Sequence, residues 1–426
     1  MSSGVDQLDG VVAELNAIMV PAQKTMQVLP GLLGGDGPRN LLVLVQNNAE
    51  SRGTGGNPAA VVMLTIDDGQ LTITHQAAST DFNNDRDTPI VDLDAETVAL
   101  YTDKVGRFMQ DVTTTPDFTE SARIMAAFWA ETVGTPIDGT LSIDPVALGY
   151  LLNATGPVTL EDGDVLTSET VVPMLLNEVY FRYNTGNTSY DNQHQDAYFA
   201  MAASGILGAL TTAQDPLVLV QQAARAVHEG RILYAPTSQA EEDVIAGTRI
   251  TGQFPVDNSQ TTMVGSYIND ITEGKLDYYV RTAVNVASDQ CTVDAATAPT
   301  FTVSTTLDYT LQPGDVAGLA RYISPGRYFP KGELHTDVVV YGPVGTSITS
   351  VTVNGVHVED AVTPLVHLGR PAIKVNIANP PATATVVSVG FTGVAGEHYG
   401  PIEAWHTPMV SDTPVTVDAP GCAGSN

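Results

Sequence analysis

The sequence predicts an α/β protein in two parts, a layered α/β/α domain followed by an all-β sandwich. Three observations predict it. Short apolar runs alternate with helical periodicity through the first 290 residues, short strand-like runs between Gly and Pro turns take over afterwards, and the only two cysteines, Cys291 and Cys422, bracket that second region. The expected organisation is an N-terminal helix and linker over 1–35, the α/β domain over 36–290 and the sandwich over 291–426.

The elements follow in order. Val5, Leu8, Val12, Leu15, Ile18 and Met19 recur at three- and four-residue spacings, which predicts a helix over 5–28 that Pro30 and the glycines of 31–37 end. The run LLVLV at 41–45 has no polar alternation and predicts a strand covered on both faces. A polar, Gly-rich loop follows it, then strands at 61–66 and 71–75 joined by the turn Asp67-Asp68-Gly69. Between 94 and 135 the pattern is helical, with Ala122, Met125, Ala126 and Trp129 on one face and Gly134 as the stop. A strand at 139–143 leads through Asp144-Pro145 into another helix, and a short strand follows at 156–160. Two helices flank a polar loop at 184–195, and another spans 215–228. From 292 onward, runs such as DVVVY at 337–341 and ITSVTVN at 348–354 lie between turns, the pattern of a β-sandwich.

Charge and composition narrow the partners. There are 48 acidic residues against 18 basic ones, a formal charge of −30, which repels phosphate backbones and anionic lipid. The expected partner is neutral or cationic, which admits a neutral polysaccharide or oligosaccharide, with no nucleic acid. Only 15% of residues are charged, and solubility rests on hydroxyls and amides, as in many exported proteins. Residues 1–10 are polar and read as no signal peptide, and the apolar runs are too short to span a membrane. A secreted or cell-envelope setting favours a disulfide between Cys291 and Cys422 over two buried thiols. No P-loop, GxGxxG, HExxH, GxSxG or CxxC is present and the eight histidines lack ligand spacing, so no cofactor and no metal are expected.

The strongest local signal lies at 46–57, where Asn47, Asn48, Asn57, Glu50 and Arg52 sit among three glycines directly after the buried strand. The carboxyl end of such a strand opens onto the crevice where α/β sheets bind ligands, and dense hydrogen-bonding side chains suit a polyhydroxylated one. The alternative is an Asn- and Gly-rich turn with Glu50 and Arg52 paired. Asp81 follows the second hairpin strand and should emerge near that loop, either as a site residue or as a turn or helix cap. Glu178, Tyr180 and Arg182 share one helix, where Glu178 and Arg182 are spaced for an intrahelical salt bridge. Asp138 and Asp144 suit turn and cap roles, and Trp129 and Trp405 suit the core.

The segment LLVLVQNNAESRGTGG at 41–56 resembles a family of bacterial envelope domains of unknown function. PDF at 116–118, IDGTLSIDP at 137–145, LLNATGP at 151–157, KLDYY at 275–279 and VYGP at 340–343 resemble it too. That family is similar to LytR-CpsA-Psr phosphotransferases, which attach glycopolymers to the cell wall. The resemblance implies a LytR-CpsA-Psr-like α/β domain, and it implies a site that binds lipid pyrophosphate through several arginines and a magnesium-binding aspartate. Here the position resembling their Pro-Arg-Asp motif reads Ser79-Thr80-Asp81, their Arg-x-Arg motif reads Phe181-Arg182-Tyr183, and the arginine-rich stretch that follows reads DNQHQD at 191–196.

Phosphoryl transfer depends on electrostatic clamping, so loss of these cations removes most of that catalyst. Carboxylates, amides and hydroxyls remain, the residue set of a glycoside-cleaving site. Glu50 and Asp81 are the expected catalytic pair, with Glu178 in reserve. Asn47, Asn48, Arg52, Asn57, Glu178, Tyr180 and Arg182 are expected to bind substrate. The family's setting, in envelopes of high-GC Gram-positive bacteria, points to an endo-acting glycoside hydrolase or transglycosylase on a furanose polymer such as D-arabinan. A metal-dependent phosphotransferase and a non-catalytic glycan-binding protein are the rivals.

Overall fold

The computed structural model describes residues 30–211, 215–358 and 362–422. The helix expected over 5–28 lies outside them. The first sheet joins β1 (Arg39–Asn47), β2 (Asn57–Asp67), β3 (Gln70–Ala78) and β4 (Gly139–Ile143), while β5 (Val158–Thr159) and β6 (Val165–Leu166) form a separate two-stranded ladder. With β7 (Ile232–Pro236) the order of the first sheet is β3-β2-β1-β4-β7, and the central pair β1 and β4 is parallel.

β1 is covered on both faces, as its unbroken apolar run predicts. Leu42 and Leu44 pack with Val61 and Met63 against the helix Phe118–Thr132, through Phe118, Met125, Phe128 and Trp129. Val43 faces the opposite side, against Ile143 and Ala147, where the helices Pro145–Thr155 and Pro216–His228 pack on each other.

The remaining strands are β8 (Thr262–Asp270), β9 (Val280–Ser288), β10 (Thr300–Tyr309), β11 (Leu334–Tyr341), β12 (Ser347–Val353) and β13 (Val356–His357). They continue with β14 (Leu365–His367), β15 (Arg370–Asn379), β16 (Thr383–Thr392), β17 (Ile402–His406) and β18 (Val415–Asp418). Among the described residues they make a six-stranded sheet ordered β13-β12-β16-β10-β9-β18 and a five-stranded sheet ordered β14-β15-β11-β8-β17. Inward side chains such as Val284, Val303, Val338, Ile373 and Val389 fill the space between them, which is how two stacked sheets remove their apolar faces from water. Thus a mixed α/β part and a β-rich part are both present.

Three expectations are corrected. The boundary expected near residue 290 falls before β8, because β8 bonds to β11 and β9 bonds to β10, which makes both of them sandwich strands. The polar loop expected at 184–195 is mostly helix: Thr188–Thr211 is continuous, and its polar first turns are tied by Asp191, which accepts from Thr185 N at 3.0 Å. The expected Glu178–Arg182 pair is replaced. The turn Met174–Glu178 is a π-helix, and Arg182 instead reaches Asp164 at 2.5 Å and Asp162 at 3.7 Å.

The two parts share their cores. Tyr267, Val339 and Tyr341, on the outer face of the five-stranded sheet, join the cluster of the helix Phe118–Thr132. Leu175, Val179, Tyr198 and Ile206, from helices on the other side of the first sheet, join the sandwich cluster. Cys291 and Cys422 form a disulfide that closes 131 residues. It agrees with an oxidising compartment. Among the described residues no helix is long and apolar enough to cross a membrane.

Candidate functional site

β1, β4 and the hairpin bring their functional ends to one edge of the first sheet. β1 runs parallel to β4, so Asn47 and Asp144 emerge together, and β3 returns beside β2 so that Ala78 pairs with Ala60 and Asp81 follows on the same edge. Asp81 closes a short 3-10 turn, where its Oδ2 accepts from Ala78 N at 2.8 Å, and it is exposed.

The loop after β1 turns most of its polar side chains inward. Asn47 Nδ2 donates to the Tyr180 hydroxyl at 2.9 Å, and Asn48 Nδ2 donates to Asp144 Oδ2 at 3.0 Å. Gln46 Oε1 accepts from Gly56 N at 2.8 Å. Glycine is required at 56 by close approach, since a Cβ there would lie 2.2 Å from the Asn47 carbonyl oxygen. Ser51 N and Oγ donate to Asp277 Oδ2, Gly53 N donates to Asn269 Oδ1, and Arg52 Nη1 donates to the Asp270 carbonyl. The loop therefore latches the first sheet to β8 and to the turn after it.

Glu50 lies within this latch, 8% exposed, between Arg52 at 3.2 Å and Lys275 at 3.3 Å. Burial favours its protonated form, but the two cations and a bond from Asn57 outweigh that and hold it below the usual carboxylate range. Lys275 continues outward, with its Nζ 4.9 Å from the centre of the Tyr180 ring. Burial pushes the Tyr180 hydroxyl up against the opposing charge of Lys275, and Asp196 is also an electrostatic neighbour. Asp196, exposed on the helix Thr188–Thr211, is raised by partial burial and by the charge of Asp81. Glu50, Lys275, Tyr180, Asp196 and Asp81 thus form one chain of interacting groups running from the latch to the surface.

The expected residues divide by place. Arg52, Asn57 and Lys275 gather around Glu50, Tyr180 and Asn47 lie on the far side of Lys275, and Asn48 joins Asp144 and Arg231 below. Arg182 lies apart, bound to Asp164 and set over the Tyr198 ring at 5.2 Å, and Glu178 is exposed beside Tyr278. Lys275, Asp111, Asp196, Asp270 and Asp277 were not singled out from the sequence. Lys275 and Asp277 stand in the KLDYY motif, which was a usable signal. Asp144 and Asp138 take the expected cap and turn roles, accepting from Ala147 N at 2.7 Å and Asn40 N at 2.7 Å. Trp129 is buried and Trp405 is partly buried beneath Arg249.

Comparison with known proteins yields distant structures and one family. A Legionella pneumophila protein whose name proposes nutrient binding is 10% identical with a TM-score of 0.19, over 30% of this chain; the chain spans 43% of that protein. A Streptococcus agalactiae protein is 11% identical with a TM-score of 0.31, over 51% of this chain and 75% of its own. A Listeria innocua protein is 12% identical with a TM-score of 0.26, over 50% and 79%. Among curated proteins none matches the chain. Residues 36–180, which hold β1, its loop and Asp81, match the model of DUF4012, a family described as a protein of unknown function.

Proposed function

We propose that the protein is a carbohydrate-active enzyme, an endo-acting glycoside hydrolase or transglycosylase on a neutral cell-wall furanose polymer such as D-arabinan. The observation that carries this reading is the chain of groups from Glu50 to Asp81, which offers carboxylates in two different electrostatic states. Glu50, held ionised by Lys275 and Arg52, is the group that attacks C1 or activates water. Asp81 is the second carboxylate of the pair, and Asp196, raised by partial burial and by the charge of Asp81, is its neighbour on the acid side. Tyr180, Asn47 and Lys275 offer hydroxyl, amide and ammonium groups for sugar hydroxyls.

The likeness to LytR-CpsA-Psr enzymes belongs to the same reading, as shared ancestry with altered chemistry. Arg52 and Lys275 are paired with Glu50, and Arg182 with Asp164, which leaves little positive charge for a pyrophosphate.

The test is incubation with arabinogalactan in EDTA, with products separated by size, beside Glu50→Gln and Asp81→Asn. Oligosaccharides released by wild type, and reduced at least ~100-fold in both variants, are expected. No release in EDTA or in magnesium overturns the enzymatic reading in favour of glycan binding, and turnover only in magnesium with a pyrophosphate donor favours the phosphotransferase.

A further inference from the structure

We infer that the acidic cavity between the helix Ala95–Tyr101, the first turn of the helix Phe118–Thr132 and the turn joining β14 to β15 is a binding site for a small organic cation, a diamine in its simplest form. The cavity has a volume of about 310 Å³ and lies where the α/β part meets the β-rich part, a common place for a ligand pocket. Its wall carries the carboxyl groups of Asp94, Glu96, Asp117 and Glu120 against one guanidinium, that of Arg123, whose Nη2 already donates to the Asp92 carbonyl at 2.9 Å. The site is separate from Glu50 and Asp81 and does not depend on the reading above.

The floor is a buried relay that adds no positive charge. Thr97 is 2% exposed and His367 1%. Thr97 Oγ1 donates to Glu120 Oε2 at 3.2 Å and lies 3.2 Å from His367 Nε2. His367 Nδ1 is 2.7 Å from the Tyr341 hydroxyl, which is itself 2.7 Å from that of Tyr101. Because the single Thr97 proton is committed to Glu120, His367 Nε2 donates to Thr97 and Nδ1 accepts from Tyr341, which is the pattern of a neutral imidazole. Burial keeps it neutral by pushing His367 down to about 4. Every proton of the relay thus points toward Glu120, whose other oxygen, Oε1, is buried without a hydrogen-bond partner among the described residues.

Charge selects the occupant. Burial raises both Asp117 and Glu120 above the usual carboxylate range, and the charge of Asp117 raises Glu120 further, so the wall favours a ligand that brings positive charge. An anion meets four like charges in a molecule of net charge −30, and a neutral ligand leaves their repulsion in place. A single metal ion does not fit, because among the described residues no group of three or more His, Cys, Asp or Glu is placed to hold one. The carboxyl groups are spread round the cavity rather than converging on a point. Ammonium groups joined by a short apolar chain suit that spread, and Leu368, held at φ 54° in the turn after β14, supplies an apolar wall for the chain.

The experiment is isothermal titration calorimetry at about 0.15 M salt, where diffuse attraction is screened, with putrescine as the probe and butanediol as its uncharged counterpart. Wild type should bind putrescine at one site per chain and butanediol about tenfold more weakly or not at all. Glu120→Gln and Asp117→Asn, which keep side-chain size and, at 117, the capping oxygen, should each raise the putrescine dissociation constant about tenfold, the loss of one charge-assisted hydrogen bond. Glu96→Gln, on the exposed rim and outside the relay, should raise it in the same direction even where a floor variant fails to melt cooperatively. Asp308→Asn, the same charge change at an exposed position of β10, should leave it unaltered. The site is overturned by any of three results: no saturable binding of putrescine, equal binding of butanediol, or an equal loss in Asp308→Asn, which would assign the attraction to the net charge of the whole chain.

Discussion

Two buried carboxylates under one loop behave in opposite ways. Glu50 has two cations within 3.3 Å and is held ionised, whereas Asp277, fully buried, has the Ser51 amide and hydroxyl as its donors among the described residues. Burial prevails over those bonds and pushes Asp277 up to about 6; Asp270 beside it is pushed up as well. Each leaves one buried oxygen without a hydrogen-bond partner among the described residues, Asp270 Oδ2 and Asp277 Oδ1. A carboxyl whose folded pKa exceeds its unfolded value contributes stability that is complete below about pH 4 and is lost as pH rises through about 6. Asp277→Asn keeps an oxygen to accept both Ser51 bonds and removes the titration. We expect it to stabilise the protein by about 2 kcal/mol at pH 7.5 and to flatten the slope between pH 4 and 6, measured by calorimetry across that range.

Helix caps show how the same local signal carries different weight. Asp117 caps the helix Phe118–Thr132, accepting from Thr119 N at 2.9 Å and Glu120 N at 3.4 Å. Asp144 caps Pro145–Thr155 and is read from the sequence just as easily, with proline at the first helical position. Yet Asp144 also accepts from Arg231 at 2.9 Å and Asn48 at 3.0 Å, at 2% exposure. Asp117→Ala should cost about 1 kcal/mol, as an ordinary cap does. Asp144→Ala should cost more, about 3 kcal/mol, because it removes a buried carboxylate from Arg231, which is left with Glu229 and the Met409 carbonyl. Urea unfolding of both variants checks the contrast, and equal losses would remove the coupling to Arg231. The Asp-Pro signal was legible because capping is local. Arg231, 87 residues further on, was not.

For the whole molecule, the last strands act as clasps. β17 lies parallel to β8 and β18 parallel to β9, so the chain's end closes an edge of each sandwich sheet. The Cys291–Cys422 disulfide then pins the residues just beyond β9 and β18. Parallel edge strands of four and five residues hold few ladder bonds, so the covalent tie carries much of their retention. Cys291→Ser with Cys422→Ser should lower stability by about 4 kcal/mol by chain-entropy reasoning, seen as a lower urea midpoint. Hydrogen exchange should quicken first in β18. An unchanged midpoint would mean that β17 and β18 hold without it.

What the sequence determined by itself was local. The both-faces burial of β1, the Asp67–Gly69 turn, the strand at 139–143, the helix of Trp129 and the cysteine pairing all follow from periodicity, turn chemistry and redox compartment. Local polarity also pointed to 46–57. It did not show that these side chains turn inward, because a buried Asn or Glu and a solvated one have the same spelling. Only the tertiary structure decided which partners meet them: Lys275 for Glu50 and Asp277 for Ser51, across separations of up to 226 residues. The same holds for the domain boundary. A strand's sheet is set by the partner that takes up its backbone hydrogen bonds, and for β8 and β9 that partner lies further along the chain.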